Sequence, residues 1–420
     1  MVKQVNIFKS RPILVGSLTL FVLLTCSHHF LVNLGFSNPM YLRILAGLIL
    51  LFSLAKEIKT FLLDVLEEPR KNFLILCILF FSIAALIFHR ENLWKEILLF
   101  SFLFFSIYSA FTNQDNDLNN LIANLMICSG VVVSISVFFG LYEYLFLSSN
   151  LFHHTIDSTG YDYNDYPYLT ERVSFSGLDF NYNFSSYTII VAQSFLFIST
   201  TDFIKNLRTV LTVLFLLSLL VLGAKIAVLF ISLVVCNYFI KDKIKKNLLN
   251  IILIGLYLFA SHIVIAFQDS YEIGSIHYRE LLFSIGGIDF ILGNYGFLKV
   301  AYFIEFKNNF FLPVDLGEFQ QTLNRISDPH FSIYTLIYLG GFPLAASVLV
   351  FLVKGVYKNI RIIQERYPNF YFCGLIAIIT ETFVWDAINS LFFWVIILYA
   401  LTISKNSYLS NNKPSTSINN

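Results

Sequence analysis

The sequence predicts an all-α polytopic membrane protein with about twelve transmembrane helices and two long outer loops containing interfacial helices. Three observations predict it. Only 13% of the 420 residues are charged, about half the roughly 25% of an ordinary soluble domain. Apolar residues make up 57% and aromatic residues 17%, with a mean hydropathy of +0.71, which is more apolar surface than a globular core can hide. The apolar residues also fall into runs suited to a hydrocarbon core about 30 Å thick, which takes roughly 17 to 25 residues per helix. This composition excludes a soluble enzyme, a disordered chain and a nucleic-acid binder. The net charge of +1 points to no polyanionic partner.

In chain order, the predicted spans are 12–32, 38–55, 73–89, 96–112, 121–147, 187–201, 209–224, 226–240, 248–267, 332–353, 370–383 and 387–404. The basic N-terminus and first apolar run resemble a signal peptide but lack a small-x-small cleavage site, so the run is read as a retained first span. Lys225 interrupts 209–240, which is either one long span or a tight hairpin. With the N-terminus inside, 19 of the 28 Lys and Arg residues fall on the cytoplasmic side, as the positive-inside rule requires. Seven lie outside: Arg90, Lys95, Arg172, Arg279, Lys299, Lys307 and Arg325. The inner loop 113–120 carries no basic residue. The organisation is therefore helices 1–5 over 1–147, a first outer loop over 148–186, helices 6–9 over 187–267, a large outer loop over 268–331, helices 10–12 over 332–404 and a polar, disordered cytoplasmic tail over 405–420. Cys26, Cys77, Cys128, Cys236 and Cys373 each lie in an apolar run, where a free thiol behaves as a small hydrophobe. No disulfide framework, zinc cluster or phosphate-gripping glycine loop is legible, and no cofactor or metal is expected.

Function is expected in the two long loops, since passive connectors are short. In the second, pieces around Tyr278–Ile285 and Phe297–Phe306 read as interfacial helices. His330 stands where this loop re-enters the membrane, with Asp328 and Arg325 nearby. An imidazole there can move a proton near neutral pH. Gly340 and Gly341 downstream are expected to serve close helix packing. Arg279 suits a lipid diphosphate, because a guanidinium fork pairs bidentately with phosphate oxygens; a snorkelling arginine is the alternative. Lys225 at a helix centre would cost roughly 2.5 to 3.5 kcal/mol, which argues for a site, whereas at a hairpin tip the cost vanishes. Arg172 precedes Gly177, Asn181 and Asn183. Near it, Tyr161, Tyr163, Tyr166, Tyr168, Tyr182 and Tyr187 are interleaved with Asp162, Asp165 and Asp179, a composition suited to a saccharide surface or to an aromatic belt. Arg43, Glu381 and Asp386 are intramembrane charges and hence functional candidates.

These features, in this order, resemble the O-antigen polymerase and O-antigen ligase superfamily of bacterial inner-membrane glycosyltransferases over roughly residues 120–355. The likeness is carried by Arg-Val-Ser-Phe-Ser-Gly-Leu-Asp-Phe-Asn-Tyr-Asn at 172–183, Gly-Ala-Lys-Ile-Ala at 223–227, Arg279 leading to Gly293 and Gly296, and His330 followed by Gly341. Phe331 and Leu344 depart from the ligase pattern, and Lys225 stands where the family has arginine, which favours the polymerase branch. The resemblance implies a metal-independent transferase that joins undecaprenyl-diphosphate-linked oligosaccharides on the periplasmic face, with both termini cytoplasmic. Arg279, Lys225, Arg172 and Arg325 would hold the diphosphate. His330 would act on the attacking hydroxyl, and Tyr163, Tyr166, Tyr168 and Asp179 would guide glycan. A chain-length regulator and a flippase of the same pathway are the implied partners. The rival readings are a ligase transferring glycan to lipid A-core and, further behind, a lipid-linked oligosaccharide flippase or transporter.

Overall fold

The computed structural model describes residues 12–36, 39–88, 94–112, 116–147, 151–156, 172–175, 177–178, 182–199, 202–267, 280–292, 299, 302–303, 311, 331–384 and 390–411. The chain is mostly helical: α1 Pro12–Cys26, α2 His28–Asn33, α3 Pro39–Ser53, α4 Ala55–Glu67, α5 Phe73–Phe88, α6 Trp94–Thr112 and α7 Asn116–Phe146 precede the first long loop. After it come α8 Tyr182–Ile198, α9 Asp202–Leu222, α10 Lys225–Phe239 and α11 Lys243–His262; beyond the second lie α12 Ser332–Arg366, α13 Ile376–Glu381 and α14 Leu391–Asn411. A π-helical turn, Phe370–Leu375, runs directly into α13. Among the described residues, four helices are long and apolar enough to cross a membrane, within Leu118–Phe146, Phe203–Leu222, Lys243–His262 and Ser332–Arg366, and several shorter apolar helices accompany them.

The core is organised around α8, in which Asn183 and every residue from Ser185 to Leu196 are buried. A helix buried on all sides needs close neighbours, and small residues let backbones approach. Gly130 of α7 faces Ala192, and Gly374 of the π turn faces Ser194. A Cβ at either glycine would lie far inside van der Waals contact with that partner.

The stretch 209–240 is two helices and not one long span, in keeping with separate spans at 209–224 and 226–240, and it is broken at Gly223 and Ala224, where Gly223 takes a left-handed φ of 60°. Other expectations are revised. Gly340 and Gly341 do not tighten a helix but break one: Gly341 has φ 73°, ψ 176°, and Pro343 opens the next helical stretch. The ninth span ends at His262, after which β-branched Ile263, Val264 and Ile265 enter strand β3, Ile263–Phe267. The expected interfacial helix around Tyr278–Ile285 is strand β4, Glu280–Ile285, and it pairs antiparallel with β5, Ile288–Leu292. Gly286 and Gly287, with φ 58° and 82°, form the two-residue turn between them, and positive φ at both positions suits the right-handed twist of a hairpin. The sheet order is β3-β5-β4. Most of Phe297–Phe306 lies outside the described residues. The C-terminal segment expected to be disordered from 405 is helical to Asn411. The inner connection at 55–67, read as a loop, is the amphipathic helix α4, with Glu57, Phe61 and Val65 buried along one face.

Replacing Gly374 by Leu is expected to cost about 1 to 3 kcal/mol by overpacking against α8. Gly255→Ala, a helical site with no heavy atom within 4 Å of the added Cβ, is expected to leave thermal unfolding of the solubilised protein unchanged or slightly raised. Equal unfolding temperatures for the two variants would contradict this account.

Candidate functional site

Many of the sequence-predicted residues, namely Arg279, Arg325, His330, Tyr163, Tyr166, Tyr168, Asp179 and Asp386, lie outside the described residues. Arg172 is on the short strand β2, Arg172–Ser174, opposite Ile156 of β1, His154–Ile156. Lys225 and Glu381, far apart in sequence, come together.

Lys225 is the first residue of α10, immediately after the Gly223–Ala224 break. Its Nζ donates to the Ala260 carbonyl at 3.2 Å in the last turn of α11, where the helix dipole favours a cation. Across from it, Glu381 ends α13 with 2% exposure, and its Oε2 accepts a hydrogen bond from the Tyr257 hydroxyl of α11. The Lys225 ammonium is near enough for its charge to act on that carboxylate. His262, the last residue of α11, donates from Nδ1 to the Leu258 carbonyl at 2.7 Å. That fixes the tautomer and leaves Nε2 to accept from Lys299 Nζ. Lys299 also donates to the Phe383 carbonyl, and its Nζ sits 5.4 Å from the Phe331 ring centroid. Phe331 in turn meets Tyr334 at 4.8 Å and Phe383 at 5.8 Å between centroids. Burial pushes the Lys299 ammonium down to about 8 from the usual lysine value.

The arrangement gathers two amines, an imidazole, a phenol and a carboxyl from α10, α11, α13 and the second loop. It can hold an anion at the two ammonium groups and pass a proton between a buried carboxyl and a phenol. Phe331 covers Lys299 and directly follows His330 in the chain. Tyr257, His262 and Lys299 were not singled out by sequence. Lys299 had a signal, as one of the few basic residues outside; Tyr257 and His262 had none beyond lying in an apolar helix.

The chain matches no family model, no curated protein and no solved structure. Among the described residues no group of three or more His, Cys, Asp or Glu could hold a metal ion.

A second polar cluster secures the first loop to the bundle. Glu143 of α7, only 3% exposed, accepts from the backbone N–H groups of Leu151 at 2.7 Å, Phe152 at 2.8 Å and His153 at 3.2 Å, and from His153 Nδ1 at 2.9 Å. Next to it Leu178 N–H donates to Ser136 Oγ at 3.2 Å, and Gly177 N–H to the Phe152 carbonyl at 3.0 Å. Gly177 has φ 69°, and a Cβ there would clash with Ser136. The glycine of the 172–183 stretch is thus a requirement of loop docking. Glu143 was invisible in the sequence because nothing local marks which backbone amides a carboxylate will meet.

Two predictions follow from this geometry. Glu143→Gln removes the charge that the loop amides share, at a cost of about 1 to 3 kcal/mol for the groups left poorly paired, so limited proteolysis between α7 and α8 should accelerate about tenfold. Lys299 loses its proton near pH 8, so its charge is present below that value and lost above it. Binding of inorganic pyrophosphate, followed by titration calorimetry, should therefore weaken about tenfold from pH 7 to pH 9. Lys299→Arg should hold binding flat over that range, because guanidinium stays charged.

Proposed function

We propose that the chain is a polysaccharide polymerase of the bacterial inner membrane, joining polyprenyl-diphosphate-linked oligosaccharide repeats at the end of the bundle that carries the two long loops. The observation that carries this reading is the convergence of Lys225 and Lys299 beside Glu381, Tyr257 and His262, next to Phe331 at the start of α12. In this reading the donor's diphosphate rests on the two amines, joined by Arg279 and Arg325 from the large loop and Arg172 from the first. The attacking sugar hydroxyl loses its proton to His330, its oxygen bonds the donor's anomeric carbon, and the bond from that carbon to the diphosphate oxygen breaks. The cations neutralise the departing diphosphate, as electrostatic catalysis of a charged leaving group requires. Tyr163, Tyr166, Tyr168 and Asp179 face the glycan.

A twelve-crossing topology accompanies the proposal. Counting α1 with α2 as one segment and the π turn with α13 as another, and setting the amphipathic α4 aside, the helices among the described residues make twelve segments. Both termini then lie on the cytoplasmic side with most of the basic residues. The pathway's chain-length regulator and flippase are the partners this reading implies.

The test is made in cells that depend on this chain for their surface polysaccharide. Lys225→Ala, Lys299→Ala, Arg279→Ala and His330→Ala should each leave protein in the membrane but yield lipopolysaccharide carrying a single repeat in place of a ladder. Normal ladders from all four would defeat the proposal, and complete loss of the single-repeat band would favour the ligase.

A further inference from the structure

An apolar groove of about 400 Å3 runs along α12 beside α13 and α14. Its walls include Leu336, Leu349, Val353, Ile379, Trp394 and Ile397, and among its lining residues only the Ser332, Thr382 and Tyr357 hydroxyls and the Trp394 indole bring side-chain polar groups. α12 is broken along this groove. The non-helical pair Gly340 and Gly341 separates the first two turns of α12 from the rest, and both parts line the groove. Ser332 N–H donates to the Thr382 carbonyl at 3.2 Å, tying the start of α12 to the end of α13. From Val348 to Ile360 the groove follows about 18 Å of helix.

Its polar end is the decisive feature. Phe383 lines the groove with its ring while its carbonyl accepts from Lys299, and Phe331, under the Lys299 ammonium, directly precedes the lining residue Ser332. An apolar channel that ends at an ammonium is complementary to an amphiphile with a long hydrocarbon chain and an anionic head. A soluble anion has no use for the channel, and an uncharged chain has no use for Lys299.

We propose that this groove holds the polyprenyl chain of the lipid-linked donor, with its diphosphate at Lys299 and Lys225; the identity of the occupant rests on the polymerase reading above. The break at Gly340 and Gly341 then has a task in substrate binding, since a continuous helix would close the space between the two parts of α12.

The experiment uses the full chain in phosphatidylcholine nanodiscs with undecaprenyl diphosphate as the probe. A photoreactive benzoyl-phenylalanine replaces Val353 in the groove or, as a control, Leu220 of α9, which is 62% exposed on the helix surface. Binding of the radiolabelled lipid is measured in parallel. The expected result is at least tenfold more lipid adduct at position 353 than at 220, with a fall of at least fivefold when Lys299→Ala is added. A second variant, Leu349→Trp, fills the groove and should weaken lipid binding about tenfold while leaving pyrophosphate binding unchanged. Saturable lipid binding with equal adducts at both positions would mean that bilayer phospholipid fills the groove; that overturns this inference and leaves the polymerase reading intact. No saturable binding of undecaprenyl diphosphate by the unmodified chain would overturn both.

Discussion

The burial of α8 on all sides from Ser185 to Leu196 is the constraint on which the rest of the fold depends. This helix carries Ser185, Ser186, Thr188, Gln193 and Ser194 into the interior, where polar groups without partners are costly. Part of the cost is met within the helix and part across to α9, while Gln193 Oε1 stays without a partner. Ser186, Thr188 and Ser194 donate back to the carbonyls of Tyr182, Phe184 and Ile190 at 2.8, 3.0 and 2.7 Å, and Gln193 Nε2 donates to Thr212 at 3.1 Å. Short side chains bonded to their own helix leave a slender rod, and Gly130 and Gly374 are the matching flat places on its neighbours. α7, α9, α14 and the π turn pack around that rod, so the positions of both loop anchors follow from it.

Charges at helix ends organise what the central helix does not. Arg43, an intramembrane charge by sequence, donates to the Leu24 and Thr25 carbonyls at the end of α1 at 3.2 and 3.3 Å. Arg208 donates to the Ser199 carbonyl beyond α8 at 2.9 Å, and Lys225 does the same for α11. At the other end of α11, Asp242 accepts from the Ile244 and Lys245 N–H groups at 2.8 and 3.1 Å. Each pairing sets opposite partial charges against the helix dipole. Arg43 and Arg208 serve this role. Lys225 differs because a second amine, a carboxyl and a phenol stand around the same helix end, which turns a capping residue into part of a site.

Legibility in the sequence divides along the same line. The helical segments were readable because burial in lipid demands long apolar runs, and Lys225 and Glu381 stood out because charge is rare within them. The β4–β5 hairpin was misread as a helix: Leu281, Leu282, Phe283 and Ile285 give an apolar run with no clear period, and the Gly286–Gly287 turn that settles it is a backbone property. Glu143, Tyr257 and His262 had no sequence signal, since each acts on groups brought to it by another helix or by a loop fold.

By itself, the sequence determined a helical membrane protein, because apolar run length and the scarcity of charge are one-dimensional consequences of the bilayer as solvent. It did not determine that Gly340 and Gly341 break a helix, because a glycine pair serves close packing as readily as a break, and the left-handed φ of Gly223 and Gly341 is a property of the folded backbone. Tertiary structure alone decided which charges meet. Lys225, Tyr257, Lys299 and Glu381 span more than 150 residues of chain, and their partnership depends on how α11 and α13 pack against α10, which no local pattern encodes.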